Sequence, residues 1–406
     1  MQRMFMFLAL VLLPASNLPA GAQDHTLTRD FALVGGTVYS SPTSSPLTDA
    51  VVLIHGSKIV AVGKRSEIPI PKSTQVIDCF GKVVTGGFWN SHVHFETGWQ
   101  NAQDASDVKL ETLMQEMLTR WGFTSVWDLG SNPQNTLTIR KRVESRKVPG
   151  PRILMAGDIF PKNGHPVYLP PEMQLTEAAS PTEASQQASS YLQMGLDGIK
   201  LFTGAFMGSK PVVNMDTSIV RSAVAVAHGQ GKPVFTHPQN RTGVDNALAG
   251  GVDVLAHTIP TAGSFSEEEL AGIASHHVAL IPTLTLWTTV VQDSQVQEQL
   301  VSAGVGEVKQ FLARGGTILF GTDVGFQTIY DTSQEYALMA RTMSWQQILA
   351  SLTTGPSDFF KKPHEGRVEK GMTADLVVLD ASPADDARNF AKVSKTIREG
   401  EVIYSR

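Results

Sequence analysis

The chain has 406 residues, 42% of them hydrophobic and 17% charged, with a formal net charge of −5. That length suits one large domain with a smaller companion, and mild acidity without a basic cluster argues against nucleic acid as a partner. The single cysteine, Cys79, excludes an intrachain disulfide and a cysteine-built metal site.

The first predicted element is an export signal over residues 1–22. Arg3 opens it, Met4 to Leu13 form a short apolar run, and Ala20-Gly21-Ala22 supplies a small-x-small cleavage site. The run is too short to span a bilayer, and no cysteine stands at the cleavage point to take a lipid. A periplasmic or secreted chain with no membrane span after signal removal is expected.

Residues 29–85 follow as short strands. "FALVGGTVY", "AVVLIHGSKIVAVG" and "TQVIDCFGKVV" are β-branched runs broken by Gly, Pro and Ser. Residues 362–406 share this texture in "ADLVVLDAS" and "VSKTIREGEVIYS". The two ends are expected to build one small β-sandwich-like domain.

Residues 86–361 alternate strand and helix. After the strand that ends in His92-Val93-His94, strands are predicted at Phe123–Leu129, Arg152–Gly157, Gly198–Phe202, Pro233–His237, Val252–His257, Ala279–Leu284 and Thr317–Asp323. Helical stretches such as "KLETLMQEMLTRWG" and "SIVRSAVAVAHGQG" lie between them. Eight such units over roughly 270 residues predict a (β/α)8 TIM barrel. A doubly wound sheet is the alternative, but no Gly-rich phosphate loop opens a helix.

Two histidines one residue apart share a strand face and can grip one metal. Lys200, His237, His257 and Asp323 stand at or near later strand ends, which a barrel gathers on one face. Zinc accepts imidazole nitrogens and carboxylate oxygens, so this set predicts a metal centre.

The segments "GGFWNSHVHF", "DGIKLF", "VFTHPQN", "VLAHT", "FGTDVG" and "GRVEKGMTADLVVLDASP" resemble the amidohydrolase superfamily of metal-dependent hydrolases over nearly the whole mature chain. Within it, the exported imidazolonepropionase-like and prolidase-like dipeptidase branch is most similar. The resemblance implies two divalent metal ions, zinc by expectation. His92, His94 and Asp323 would hold one, His237 and His257 the other, and a carbamylated Lys200 would bridge them. It further implies that a metal-activated water attacks a small amide or peptide substrate, with Asp323 as the catalytic proton carrier.

Other residues are expected nearby. His165, in "PKNGHP" after the third strand, is a substrate-contact candidate, and Trp99, Arg241, Trp287 and Tyr330 follow strands 1, 5, 7 and 8 as pocket candidates. Phe202, Thr203 and Gly204 are expected to shape the wall beside Lys200. His55, His228, His276, His277 and His364 read as groups outside the site. Two departures from the family pattern stand out: Thr85 where a proline is common, and Asn90 where an acidic residue often stands. The second could alter metal affinity if that position orients a ligand.

The expected activity is hydrolysis of an amide in a dipeptide or N-acyl amino acid. A lactonase, cyclic-amide hydrolase or organophosphate hydrolase could use the same centre. A catalytically inactive barrel acting as a binding protein is the non-enzyme alternative, and homo-oligomerisation is left open. Deamination is disfavoured: Pro238-Gln239-Asn240 follows His237 where deaminases carry a glutamate.

Overall fold

Both chain ends feed one mixed sheet. The computed structural model describes residues 30–406 except 97 and 100, so the expected export signal lies outside the described residues. Strands β1 (Phe31–Val38), β2 (Leu47–His55), β3 (Lys58–Lys64), β4 (Gln75–Asp78) and β5 (Val83–Gly86) come from the N-terminal end. At the C-terminal end, Leu376–Leu379 pairs antiparallel with β5, followed across the sheet by Val393–Arg398 and Glu401–Ser405. Alternation along β1 and β2 sends Phe31, Leu33, Val52 and Ile54 to one buried face, where they meet Leu376 and Val378.

The middle of the chain supplies eight parallel strands along one path: β6 (Phe88–Val93), β7 (Phe123–Asp128), β8 (Arg152–Pro161), β9 (Gly198–Phe202), β10 (Val234–His237), β11 (Val254–Ala256), β12 (Ala279–Ile281) and β13 (Thr317–Ile318). They stand where the alternating pattern predicts them. The eighth is shorter than Thr317–Asp323, but its continuation closes the path: Ser91 N–H donates to Phe320 C=O at 2.7 Å, Asp323 N–H to His92 C=O at 2.9 Å and His94 N–H to Val324 C=O at 2.8 Å. The result is a TIM-barrel-like domain. No described helix is long and apolar enough to cross a membrane.

Side-chain alternation sorts the strands into two layers. On β9, Ile199 and Leu201 pack outward with the helices, leaving Lys200 and Phe202 for the inner face. Inside, Trp89, Trp127, Ala156, Phe235, Val254 and Ile281 fill the barrel, with Phe360 stacked 5.7 Å from Trp89. The covering helices start on local signals. Ser106, Asn132 and Ser180 each cap a helix by accepting the N–H three residues on, and Pro133 and Pro181 sit in first turns. Ser266 and Glu269 form a reciprocal capping box.

Arg152, at the start of β8, joins barrel to mixed sheet. Its guanidinium meets Glu365 at 3.0 Å, Glu399 at 3.1 Å and Asp375 at 3.4 Å, and donates to Ser125 Oγ at 2.9 Å. Burial lowers its affinity for a proton, but these three carboxylates outweigh that and raise it.

Candidate metal centre and active site

Three donor atoms meet at the barrel's closing seam. His92 Nε2 and His94 Nε2 lie 3.1 and 3.0 Å from Asp323 Oδ1, and 3.2 Å from each other. β6 delivers His92, with His94 one residue past its end, and the turn after β13 delivers Asp323 with a left-handed backbone, φ 60°. Two glycines allow that approach. A Cβ on Gly325, φ 104°, would lie 1.8 Å from His94 C=O, and one on Gly321 would lie 2.9 Å from His92 Cβ.

Asn90 braces the seam. Its side-chain carbonyl accepts from His92 N–H and Thr322 N–H, each at 3.2 Å, and its amide donates to Thr322 Oγ1 at 2.8 Å. The departure from the family pattern therefore ties the strand of His92 to the turn of Asp323. Thr85 lies outside this network, its hydroxyl bonded to Gly86 C=O at 3.0 Å.

His257 extends the centre, since donor atoms of His92, His257 and Asp323 all fall within 4.8 Å of one another. The His92 and His257 rings are 4.7 Å apart, and those of His257 and His237 4.9 Å. Phe202 stacks on His237 at 5.2 Å and on Phe160 at 3.9 Å, making the wall expected beside Lys200. Lys200 Nζ sits over the Phe202 ring at 5.8 Å. Thr203 Oγ1 bonds to Thr236 Oγ1 at 2.8 Å, and Gly204 admits Pro238 C=O, 2.3 Å from where a Cβ would stand.

The electrostatics suit a cation. Burial pulls His237 down to about 4 and holds His92 and His257 well below the usual imidazole value, Lys200's charge adding to the effect on His92 and His237. These imidazoles are neutral and able to ligate. Burial would also lower His94, but the hydrogen bond and charge of Asp323 raise it to about 9. Burial brings Lys200 down to about 7, with Asp323 and Asp158 opposing that shift. The Nδ1 atoms of His92 and His94 are buried without a hydrogen-bond partner, so the pair's polar contacts lie at the shared Nε2 focus. Imidazoles converging on a carboxylate, with a proton on His94 that a cation in the same place would displace, fit a divalent metal in donor type and geometry.

The substrate candidates separate. Trp287 Nε1 donates to Thr258 Oγ1 at 2.8 Å, next to His257. His165 is held in the loop after β8, its ring nitrogens 3.2 Å from Pro166 C=O and 3.3 Å from Met173 C=O. Tyr330 is half-buried against the core. Trp99 is wholly buried and packs edge-on to Phe95 at 4.8 Å, a core position rather than a pocket lining. Arg241 is engaged structurally, bonded to Glu269 and to Ser264 C=O. Of the histidines set aside, His228 pairs with Asp253 at 2.9 Å and His55 with Asp30 at 2.8 Å, both outside the centre.

Several groups at the site have no counterpart among the sequence expectations. Asp158 pairs in register with Lys200 across β8 and β9 and so shares its inner face; burial raises its carboxyl to about 6. A charged residue inside the apolar run "LMAGDIF" was the available signal. Burial likewise raises Glu96, just after His94. Tyr168, over the site from the β8 loop, lies 5.4 Å edge-on to Phe326, and its phenol is raised by burial and by Asp323 and Glu96.

Glu307 is a buried carboxyl behind the His257 turn, accepting from Ile259 N–H at 2.8 Å through one oxygen while the other is unpartnered. Burial raises it from 4.5 to about 8. Between those values the folded state holds a proton that the unfolded chain has lost, so this group's contribution to stability falls as pH rises. Glu307→Gln removes that term. The thermal midpoint of the variant relative to wild type is therefore expected to rise more at pH 8 than at pH 5; equal shifts at both pH values would refute the assignment.

A parallel barrel with a His–Asp donor cluster at its C-terminal strand ends defines the class of a metal-site barrel enzyme. The chain belongs to the amidohydrolase family, whose model matches residues 83–403, and it is a hydrolase acting on carbon–nitrogen bonds. It is 23% identical to the dihydroorotase of Lactobacillus gasseri, over 91% of this chain and 98% of that one. It is 21% identical to the imidazolonepropionase of Thermoplasma acidophilum, over 87% and 89%. Its fold is similar to a prolidase solved with N-methylphosphonate-L-proline (TM-score 0.78, 21% identity, 93% and 100% covered). It is also similar to a Xaa-Pro dipeptidase with methionine in its active site (TM-score 0.77, 20% identity, 93% and 100% covered).

Proposed function

We propose that this chain is an exported binuclear metalloenzyme that hydrolyses the amide bond of a dipeptide or N-acyl amino acid. The observation that carries the reading is the meeting of His92 Nε2, His94 Nε2 and Asp323 Oδ1 within 3.2 Å. Export rests on the sequence of residues 1–22 alone.

His92, His94 and Asp323 would hold one ion, and His237 and His257 a second. Lys200 would join them as a carbamate: its amine, lowered to about 7, adds to CO2, a nitrogen–carbon bond forms, a proton leaves, and an anion with two oxygens results. Bound divalent ions would supply a water of lowered pKa and polarise the scissile carbonyl. Asp323 accepts the proton released in attack and returns it to the leaving nitrogen. Trp287 is bonded to Thr258 beside His257, Tyr168 lies against Phe326 in the turn that follows Asp323, and Val167, Met173 and Phe206 expose apolar surface on their loops. Val167 N–H bonds to Phe206 C=O at 3.0 Å, which joins two of these loops and favours a substrate with an apolar side chain.

The names of two sequence relatives, the dihydroorotase and the imidazolonepropionase, favour a second reading, in which the amide is cyclic. A hydrolysis screen of dipeptides, N-acyl amino acids and cyclic amides decides between them. Elemental analysis after expression with bicarbonate is expected to find about two divalent ions per chain. A value near one removes the bridging lysine, and a value near zero in folded protein removes the metalloenzyme reading.

A further inference from the structure

Thr283 is buried in a conformation that a β-branched residue rarely adopts, φ 43° and ψ 52°, at the turn after β12. Strain of this kind persists only where the surroundings impose it, and it points from geometry toward function. What the turn achieves is visible at its hydroxyl. Thr283 Oγ1 lies 2.6 Å from His257 Nδ1 and 2.9 Å from Pro282 C=O, which can take its proton. A metal held by Nε2 leaves the imidazole proton on Nδ1, and Thr283 Oγ1 is then its acceptor, with its own proton directed to Pro282 C=O. His257 is itself left-handed, φ 77°, which gives the ring one approach to His92 and Asp323.

The strained turn is held from outside by one carboxylate. Glu335, on the short helix Ser333–Met339, is buried and reaches back 50 residues along the chain. One oxygen accepts Leu284 N–H at 2.9 Å. The other accepts Thr285 N–H and Thr285 Oγ1, both at 2.7 Å. These donors immediately follow Thr283, so the carboxylate fixes the turn at the residue that must stay left-handed. The hydrogen bonds of Glu335 go to this turn, and it is Thr283 that meets His257.

We infer that Glu335 is a positioning residue for the metal centre: by clamping the Leu284-Thr285 amides it holds Thr283 in its strained turn, and Thr283 fixes the tautomer and aim of His257. This rests on the metal reading above, and its test is separable from that reading. The readout is zinc affinity, measured by competition with a chromophoric chelator on the purified, metal-stripped full chain, beside the thermal midpoint of each variant. Thr283→Val keeps the shape and loses the hydroxyl, and is expected to weaken zinc binding about 10- to 100-fold, the usual effect of losing a partner behind a ligand. Thr283→Ser restores the hydroxyl and should bind within a few-fold of wild type. Glu335→Gln should weaken zinc binding in the same direction, and the double variant Thr283→Val/Glu335→Gln should bind no worse than Thr283→Val alone, because both act through one hydroxyl.

Wild-type affinity in Thr283→Val overturns the inference. So does a Glu335→Gln protein that melts earlier yet binds zinc as wild type does, since Glu335 would then be a brace for the fold alone. If Glu335→Gln does not fold, the Val and Ser variants at Thr283 together decide, with equal affinities in the two counting against the inference. Failure of the wild-type chain to bind zinc at all would instead strike the metal reading itself.

Discussion

Asp323→Asn is expected to fold, to keep much of its metal and to lose turnover by at least ~10²-fold, the usual share of a positioned acid or base. Asparagine preserves the shape and an oxygen donor, and the backbone bond from residue 323 N–H to His92 C=O does not depend on the side chain. What disappears is an oxygen that can accept and return a proton while lying 3.0 to 3.1 Å from two ligand nitrogens. A variant within a few-fold of wild type at full metal occupancy would reassign the proton carrier. Asp158, on the same inner face as Lys200, would then be the next group to replace.

Lys200→Ala should be as damaging for a different reason. The wild-type amine is buried close to the imidazoles, and its charge helps depress His92 and His237. On the proposed binuclear reading, it is also the group that bridges the two ions. Activity is expected to fall by ~10²-fold or more, with loss of at least one of the two ions by elemental analysis. Acetate should partly restore both by entering the gap with two oxygens. Unchanged turnover and unchanged metal content would make this lysine a structural residue.

The order of the barrel strands and the meeting of His92, His94 and Asp323 were legible because both follow from short-range rules. Alternation with period two placed His92 beside His94 and put Lys200 on the inner face of β9, and strand–helix alternation gathered the strand ends. The supporting groups were not legible. Thr283 and Glu335 are joined across some 50 residues by a turn whose left-handed residue carries no glycine to announce it. Trp99 reads as a pocket aromatic by its place after the first strand, and only packing against Phe95 assigns it to the core. Arg241 follows His237 closely, but its helix turns it toward Glu269 and Ser264. Distance along the chain says which loop a residue joins; the face it presents is decided by tertiary contacts.

The donor cluster sits on the line where the barrel joins itself. His92 and Asp323 come from the first and the last strands of the ring, and their backbones are bonded to each other there. The other barrel pairings join segments that are closer along the chain, whereas this one must close a loop of more than two hundred residues, the kind of contact that is slow to make. On the proposed reading, metal capture is therefore timed by closure of the barrel: a chain cut before its last barrel strand holds the histidines but lacks Asp323 to set them against. An ion that binds only the finished ring in turn fastens it, so that gaining the cofactor and locking the architecture become a single event.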